Sequence, residues 1–141
     1  MKSNEEELSK RVMEIEYIRR ELEGYITALN SLQLMEESLS KSLLGLDGMN
    51  GSKNDVLLPY SQDVYFRGTI SDTASALVNI GSNVFRSMSM DSLRHRLERD
   101  LSEIQKNIEQ IGQVIQKLQE RGSVLEQETN RMYEEYKAGI K

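Results

Sequence analysis

Apolar residues return at every seventh position early in the chain, at Leu8, Ile15, Leu22 and Leu29, and a second series, Ile18, Tyr25, Leu32 and Leu39, runs three residues behind the first. Alternating steps of three and four place both series on one stripe of a helix, the a and d positions that bury a narrow seam against a second helix. Ser3 with Glu6 forms a capping box, and Glu5 to Glu7 put negative charge at the positive end of the helix dipole, so the helix is predicted from Ser3. Arg11 occupies a d position with Val12 beside it, and Glu36 an a position with Met35 beside it, so local drift of the contact face is expected at both. Gly45, Gly48, Asn50, Gly51 and Asn54 are predicted to end the helix near residue 47. Its length is then roughly 40 residues, or about 60 Å.

The period changes in the middle of the chain. Four β-like runs follow, Val56 to Tyr60, Val64 to Ile70, Ala74 to Ile80 and Val84 to Met88, with turn-forming clusters at Ser71-Asp72-Thr73 and Gly81-Ser82-Asn83. Four of the eight aromatic residues, Tyr60, Tyr65, Phe66 and Phe85, lie in this stretch, which marks it as a binding face or an assembly joint.

Helical period then resumes. Ser89 can cap a helix with Asp91 in its first turn, and Leu97, Ile104, Ile111, Leu118, Leu125 and Met132 recur every seven residues. Leu101, Ile108, Ile115, Gly122, Thr129 and Tyr136 follow four residues after each, so the seam reads as apolar up to Leu118 and is expected to loosen beyond it, with Gly122 and Thr129 as weak packing sites. Two helices of similar length joined by a chain-reversing β region imply an α+β fold: a long antiparallel two-helix coiled coil with two central β-hairpins. Residues 1–141 read as a single domain, with helices over 3–47 and 89–138 and the β region over 56–88.

Composition agrees with an economical seam. Hydrophobic residues make up 38% of the 141 and charged residues 29%; a coiled coil needs only two apolar positions in seven. Such a chain exposes much surface, so partners are expected. The net charge of −5 hides no basic segment: Lys and Arg number 18 against 23 Asp and Glu, and the two alternate along both helices. The only basic cluster, Arg94, Arg96 and Arg99, is interrupted by Glu98 and Asp100, which argues against nucleic-acid binding. Absence of cysteine removes disulfides, thiolate chemistry and cysteine zinc sites. The start of the chain does not read as a secretory leader, and no stretch approaches the about 20 apolar residues of a membrane helix. A cytoplasmic location is expected.

Candidate chemistry is sparse. The single histidine, His95, stands between Arg94 and Arg96 with no second ligand or triad partner at a recognisable spacing. Gly45 to Lys53 is glycine-rich, but a phosphate loop needs Gly-Lys-Ser/Thr between a strand and a helix, and here Gly51-Ser52-Lys53 lies between a helix and a strand. Asp47, Asn50 and Asp55 miss the calcium-loop spacing. No catalytic, cofactor or metal residue is assigned, and the chain is not expected to be an enzyme.

Leu57-Leu58-Pro59, the strand Val64 to Ile70 followed by Asp72-Thr73, the strand Leu77 to Gly81, and Val84-Phe85-Arg86 leading into a helix together resemble the alpha class of prefoldin subunits over essentially the whole chain. Two hairpins between paired helices are the alpha-class layout. The resemblance implies an ATP-independent chaperone subunit whose hairpins join other subunits in an oligomeric β-barrel body, two alpha with four beta subunits, or through self-association. It implies that the distal coiled-coil tips capture non-native polypeptides and pass them to a group II chaperonin. The tip residues expected to bind clients are Leu8, Val12, Met13, Leu125, Met132, Tyr133, Tyr136 and Ile140. Those expected in assembly are Val64, Phe66, Ile70, Ala76, Val78, Ile80 and Phe85, with Val64, Phe66 and Ile70 against Ala76, Val78 and Ile80 lining the barrel. A structural coiled-coil adaptor for one folded partner is the alternative.

Overall fold

The structure is a computed structural model that describes residues 2–49 and 55–139, with side chains from Asn4 onward. Helix α1 spans Lys2–Met49, strands β1 (Val56–Ser61), β2 (Val64–Gly68), β3 (Ser75–Gly81) and β4 (Val84–Ser89) follow, and helix α2 spans Met90–Gly139. The strands form two separate antiparallel hairpins, β1–β2 and β3–β4. Contacts divide the chain into two compact units, residues 1–34 with 106–141, and residues 35–105.

The first unit is an antiparallel helix pair: Tyr136 donates to Glu5, Arg11 to Glu128, and Gly122 faces Ile18, so partners descend one helix as they ascend the other. Its seam keeps a strict heptad phase. Arg11 stays in the seam, its side chain 27% exposed, while Val12 beside it points to solvent. The expected drift does not occur there, because the long Arg11 stem can lie along the seam while its guanidinium reaches Glu128 and Glu7. In the second unit Glu36 is likewise half-buried and Met35 exposed, so the phase holds at both interruptions.

Beyond Leu118 the seam tightens where loosening was expected. Ile18, Ile115, Leu125 and Thr129 are the most buried residues described, and two of these four lie past Leu118. Gly122 itself does pack weakly, as expected: a Cβ there would meet only Ile18 Cγ2, at an ordinary 3.5 Å, and the glycine lines an open concavity with Ile15, Ile18 and Leu22.

In the second unit α1 continues through Gly45 and Gly48 to Met49, past the predicted stop. Each helical glycine costs roughly 0.5–1 kcal/mol relative to alanine. Half-burial of Leu43 and Leu46 and an Arg94–Asp47 ion pair at 2.6 Å offset that cost. The predicted stop residues Asn50, Gly51 and Asn54 lie outside the described residues. So does the side chain of Ser3, which is already helical. The predicted cap of α2 is present: the Ser92 N–H donates to Ser89 Oγ at 3.2 Å. Met90 N–H donates to the Ala74 carbonyl at 3.0 Å, tying the helix start to the entry of β3.

Both hairpins turn through left-handed residues. Asp63 has φ 63° between β1 and β2, and Ser82 and Asn83 have φ 50° and 59° between β3 and β4. Two successive positive angles are what a two-residue primed turn demands, and its twist matches that of the strands. Ahead of β3, the Asp72 carboxylate accepts from Ala74 N–H at 2.8 Å and from Ser75 Oγ at 2.7 Å. The bond from Ser75, then that from Ala74, holds its pKa below the ordinary 3.8.

Two predictions follow from these contacts. Ile18→Ala is expected to lower stability by about 2–5 kcal/mol, as for a truncated buried aliphatic residue, whereas Gly122→Ala raises it by roughly 0.5–1 kcal/mol. Urea unfolding followed by circular dichroism measures both. Because the folded pKa of Asp72 is lowered, its bonds stabilise the hairpin entry above the ordinary value and are lost as pH falls through the folded value. An NMR titration of the Asp72 carboxyl should find its midpoint below 3.8; one at or above that value contradicts the assignment.

Candidate assembly and client-binding surfaces

Pairing fixes which side chains share a face of each hairpin, because directly opposite residues point the same way. In the first hairpin Leu58 lies opposite Phe66 and Val56 opposite Gly68. Tyr60 meets Phe66 edge to face, ring centroids 5.2 Å apart. Val56, Leu58, Tyr60, Val64 and Phe66 thus form an unbroken apolar face, most of it exposed to water, with Phe66 56% exposed. Gly68 completes it by leaving room: a Cβ there would stand 2.9 Å from Leu58 Cδ1.

Ile70 does not belong to this face. Strand β2 ends at Gly68 because its partner β1 begins at Val56, after Asp55 in the left-handed region at φ 69°. The ladder therefore ends at the Val56–Gly68 pair. Ile70 instead lines a small recess with Leu46, Met49, Ala76, Met90 and Leu93, apolar surface of its own chain.

In the second hairpin Ala76 lies opposite Met88 and Val78 opposite Arg86, so Ala76, Val78 and Ile80 do share a face. Ala76 is half-covered by the same recess, while Ile80 is exposed. Phe85 pairs with Asn79 and therefore lies on the other face, beside exposed Leu77. Of the six residues expected to line the barrel, Val64 and Phe66 share a face of the first hairpin, Ala76, Val78 and Ile80 a face of the second, and Ile70 lies in the recess; Phe85 lies on the other face of the second hairpin.

The helix pair of the first unit sorts the expected client-binding residues by heptad phase. Leu125 is buried, and Leu8, Met132 and Tyr136 are half-buried in the seam. The Tyr136 hydroxyl donates to Glu5, which holds the phenol protonated and raises its pKa above 10.0. These four side chains close the coil. Val12, Met13 and Tyr133 stand outside it, Met13 being 69% exposed, and Lys137 Nζ lies 5.6 Å from the Tyr133 ring centroid. Ile140 lies outside the described residues.

Sequence reading missed several exposed apolar side chains in this unit, Tyr17, Ile26, Leu34, Val114 and Val124. Their off-seam phase is the signal that could have found them, since Tyr17 stands one turn from Met13 on the same helix face. Among the described residues no three His, Cys, Asp or Glu side chains gather to hold a metal, and no helix is long and apolar enough to cross a membrane.

Comparisons with known proteins agree with this geometry. The family model described as prefoldin subunit matches residues 1–135. Prefoldin subunit alpha of Methanococcus aeolicus is 25% identical over 141 residues, 94% of this chain and 90% of that protein. The cryo-EM structure of a filamentous PFD from Methanocaldococcus jannaschii has the same fold, with a TM-score of 0.67 at 17% identity over 79% of this chain and 93% of that one. With the family model matched over residues 1–135, two long helices and the alpha-type pair of hairpins, the chain belongs to the prefoldin subunit family, a chaperone family whose members associate with other prefoldin subunits in a complex.

Proposed function

We propose that the chain is an ATP-independent holdase subunit of the cytoplasm that captures non-native polypeptides on the helix pair formed by its two terminal segments. The hairpins serve assembly: the Val64–Phe66 face, with Val78 and Ile80 of the second hairpin, closes β-barrels with beta-class subunits, two alpha to four beta. Captured chains pass to a group II chaperonin.

One observation carries this reading. Most seam residues of the helix pair are covered, yet Met13 and Tyr17 project from one face of α1, and Val12, Val124 and Tyr133 are exposed beside the coil. A thioether adapts to irregular surfaces, and phenols offer apolar area with a polar tip. That mixture suits partners without a fixed shape. Of the residues first expected to bind clients, Val12, Met13 and Tyr133 carry the proposal, joined by Tyr17.

The test is suppression of aggregation of a chemically unfolded client, without ATP, by the chain mixed with a beta-class subunit. Replacing Met13, Tyr17 and Tyr133 together by serine should weaken client binding by about tenfold, the equivalent of about 1.4 kcal/mol, while light-scattering mass and helix content stay unchanged. Phe66→Ser should do the reverse, impairing co-assembly first. Full suppression by the triple variant would refute the assigned surface, and loss of one specific interaction with bulk suppression intact would favour an adaptor.

A further inference from the structure

The junction between β4 and α2 gathers basic side chains that the sequence separates. Arg86 of β4 and His95, Arg96 and Arg99 of α2 line an open concavity together with Ser89 and Ser92. Residues 92, 95, 96 and 99 recur at steps of three and four, so they occupy one face of the first turns of α2. The acidic residues that alternate with them in sequence do not line it. Arg94 turns away to Asp47 on α1 at 2.6 Å, and Glu98 approaches only His95, at 3.9 Å. Among the described residues, Arg86, Arg96 and Arg99 have no carboxylate partner.

Guanidinium groups concentrated in this way repel one another unless an anion joins them. The concavity is shallow and open, with the His95 side chain 81% exposed, so it would strip little water from a small anion. Its arginines are also spread over a strand and two helical turns. An extended partner carrying several carboxylates matches that layout better than a single phosphate. β4 supplies continuity with the assembly surface: one of its edges pairs with β3, and the other is unpaired.

We propose that this basic concavity receives an acidic segment of another prefoldin subunit docking beside β4, and that it selects a neighbour of unlike charge over a second copy of the same surface. Two copies meeting through this face would set arginine against arginine, a repulsion that discriminates between partners. The proposal rests on membership of the subunit family and not on client capture.

The experiment compares the full chain with the double variant Arg96→Glu, Arg99→Glu, each mixed with a beta-class prefoldin subunit, by light scattering and sedimentation. Circular dichroism confirms that the variant keeps its helices. Raising salt from about 50 mM to about 500 mM should weaken the unmodified complex about tenfold, and the charge reversal should weaken it at least as much at low salt. The reversed variant should also gain association with the unmodified chain. A complex indifferent to both salt and charge reversal overturns the proposal. Competition by inorganic phosphate that chloride at equal ionic strength does not reproduce reassigns the concavity to a small anion and overturns it too. A chain that stays alone with every subunit offered overturns docking itself, whatever the aggregation assay reports.

Discussion

A two-stranded hairpin leaves half of its backbone donors and acceptors without a ladder partner and has no second layer to cover its apolar face. By itself such a hairpin is marginal in water. This chain contains two of them, unconnected by any ladder, and places Val56, Leu58, Tyr60, Val64 and Phe66 on one face without a cover of its own. On their own the hairpins are therefore weakly stabilised. Everything in their immediate surroundings serves to hold them ready: Asp72 fixes the entry to β3, Met90 ties the start of α2 to Ala74, and Ser82 and Asn83 accept left-handed angles to make the tightest return.

The helix pair obeys the opposite economy. No side chain among the described residues is fully buried, so the seam gains little from volume and depends on fit at a few layers. Ile18 marks one such layer. Another contains Arg11, which bonds Glu128, and neighbouring Thr129, whose hydroxyl is buried without a partner. A polar layer costs stability, and its use is register: sliding the helices by a heptad would set Arg11 against Arg121 in one direction and Ile18 against Thr129 in the other. The Tyr136–Glu5 bond near the end of the pair constrains the same register.

How much of this was legible depended on whether the deciding interaction was local. Heptad phase is local, so both helices and the Ser89 cap could be read from spacing, and the same phase puts Leu125, expected to bind clients, inside the seam. Strand existence was equally plain, but strand length was not: Ile70 was assigned to β2 because its own neighbourhood is β-like, whereas the strand ends at Gly68, opposite the first residue of β1. The face of Phe85 could not be read locally either, since it is set by the register with Asn79 across a turn. Thr129 reads as a weak site when judged as an isolated residue, yet it is among the most buried residues described because of what the opposite helix places against it, whereas Gly122 leaves the space its sequence implies.

The same distinction explains the basic concavity. In sequence, Arg94, Arg96 and Arg99 alternate with Glu98 and Asp100, and such mixtures usually mark a solvated helix face. Helical geometry separates what the sequence interleaves, sending Arg94 to α1 and leaving Arg96 and Arg99 on the face that meets Arg86. Apolar hairpin faces alone discriminate poorly among prefoldin subunits, because one exposed β-face fits another of similar size. Charge beside them supplies the missing selectivity, since repulsion between like surfaces excludes wrong neighbours without demanding extra buried area.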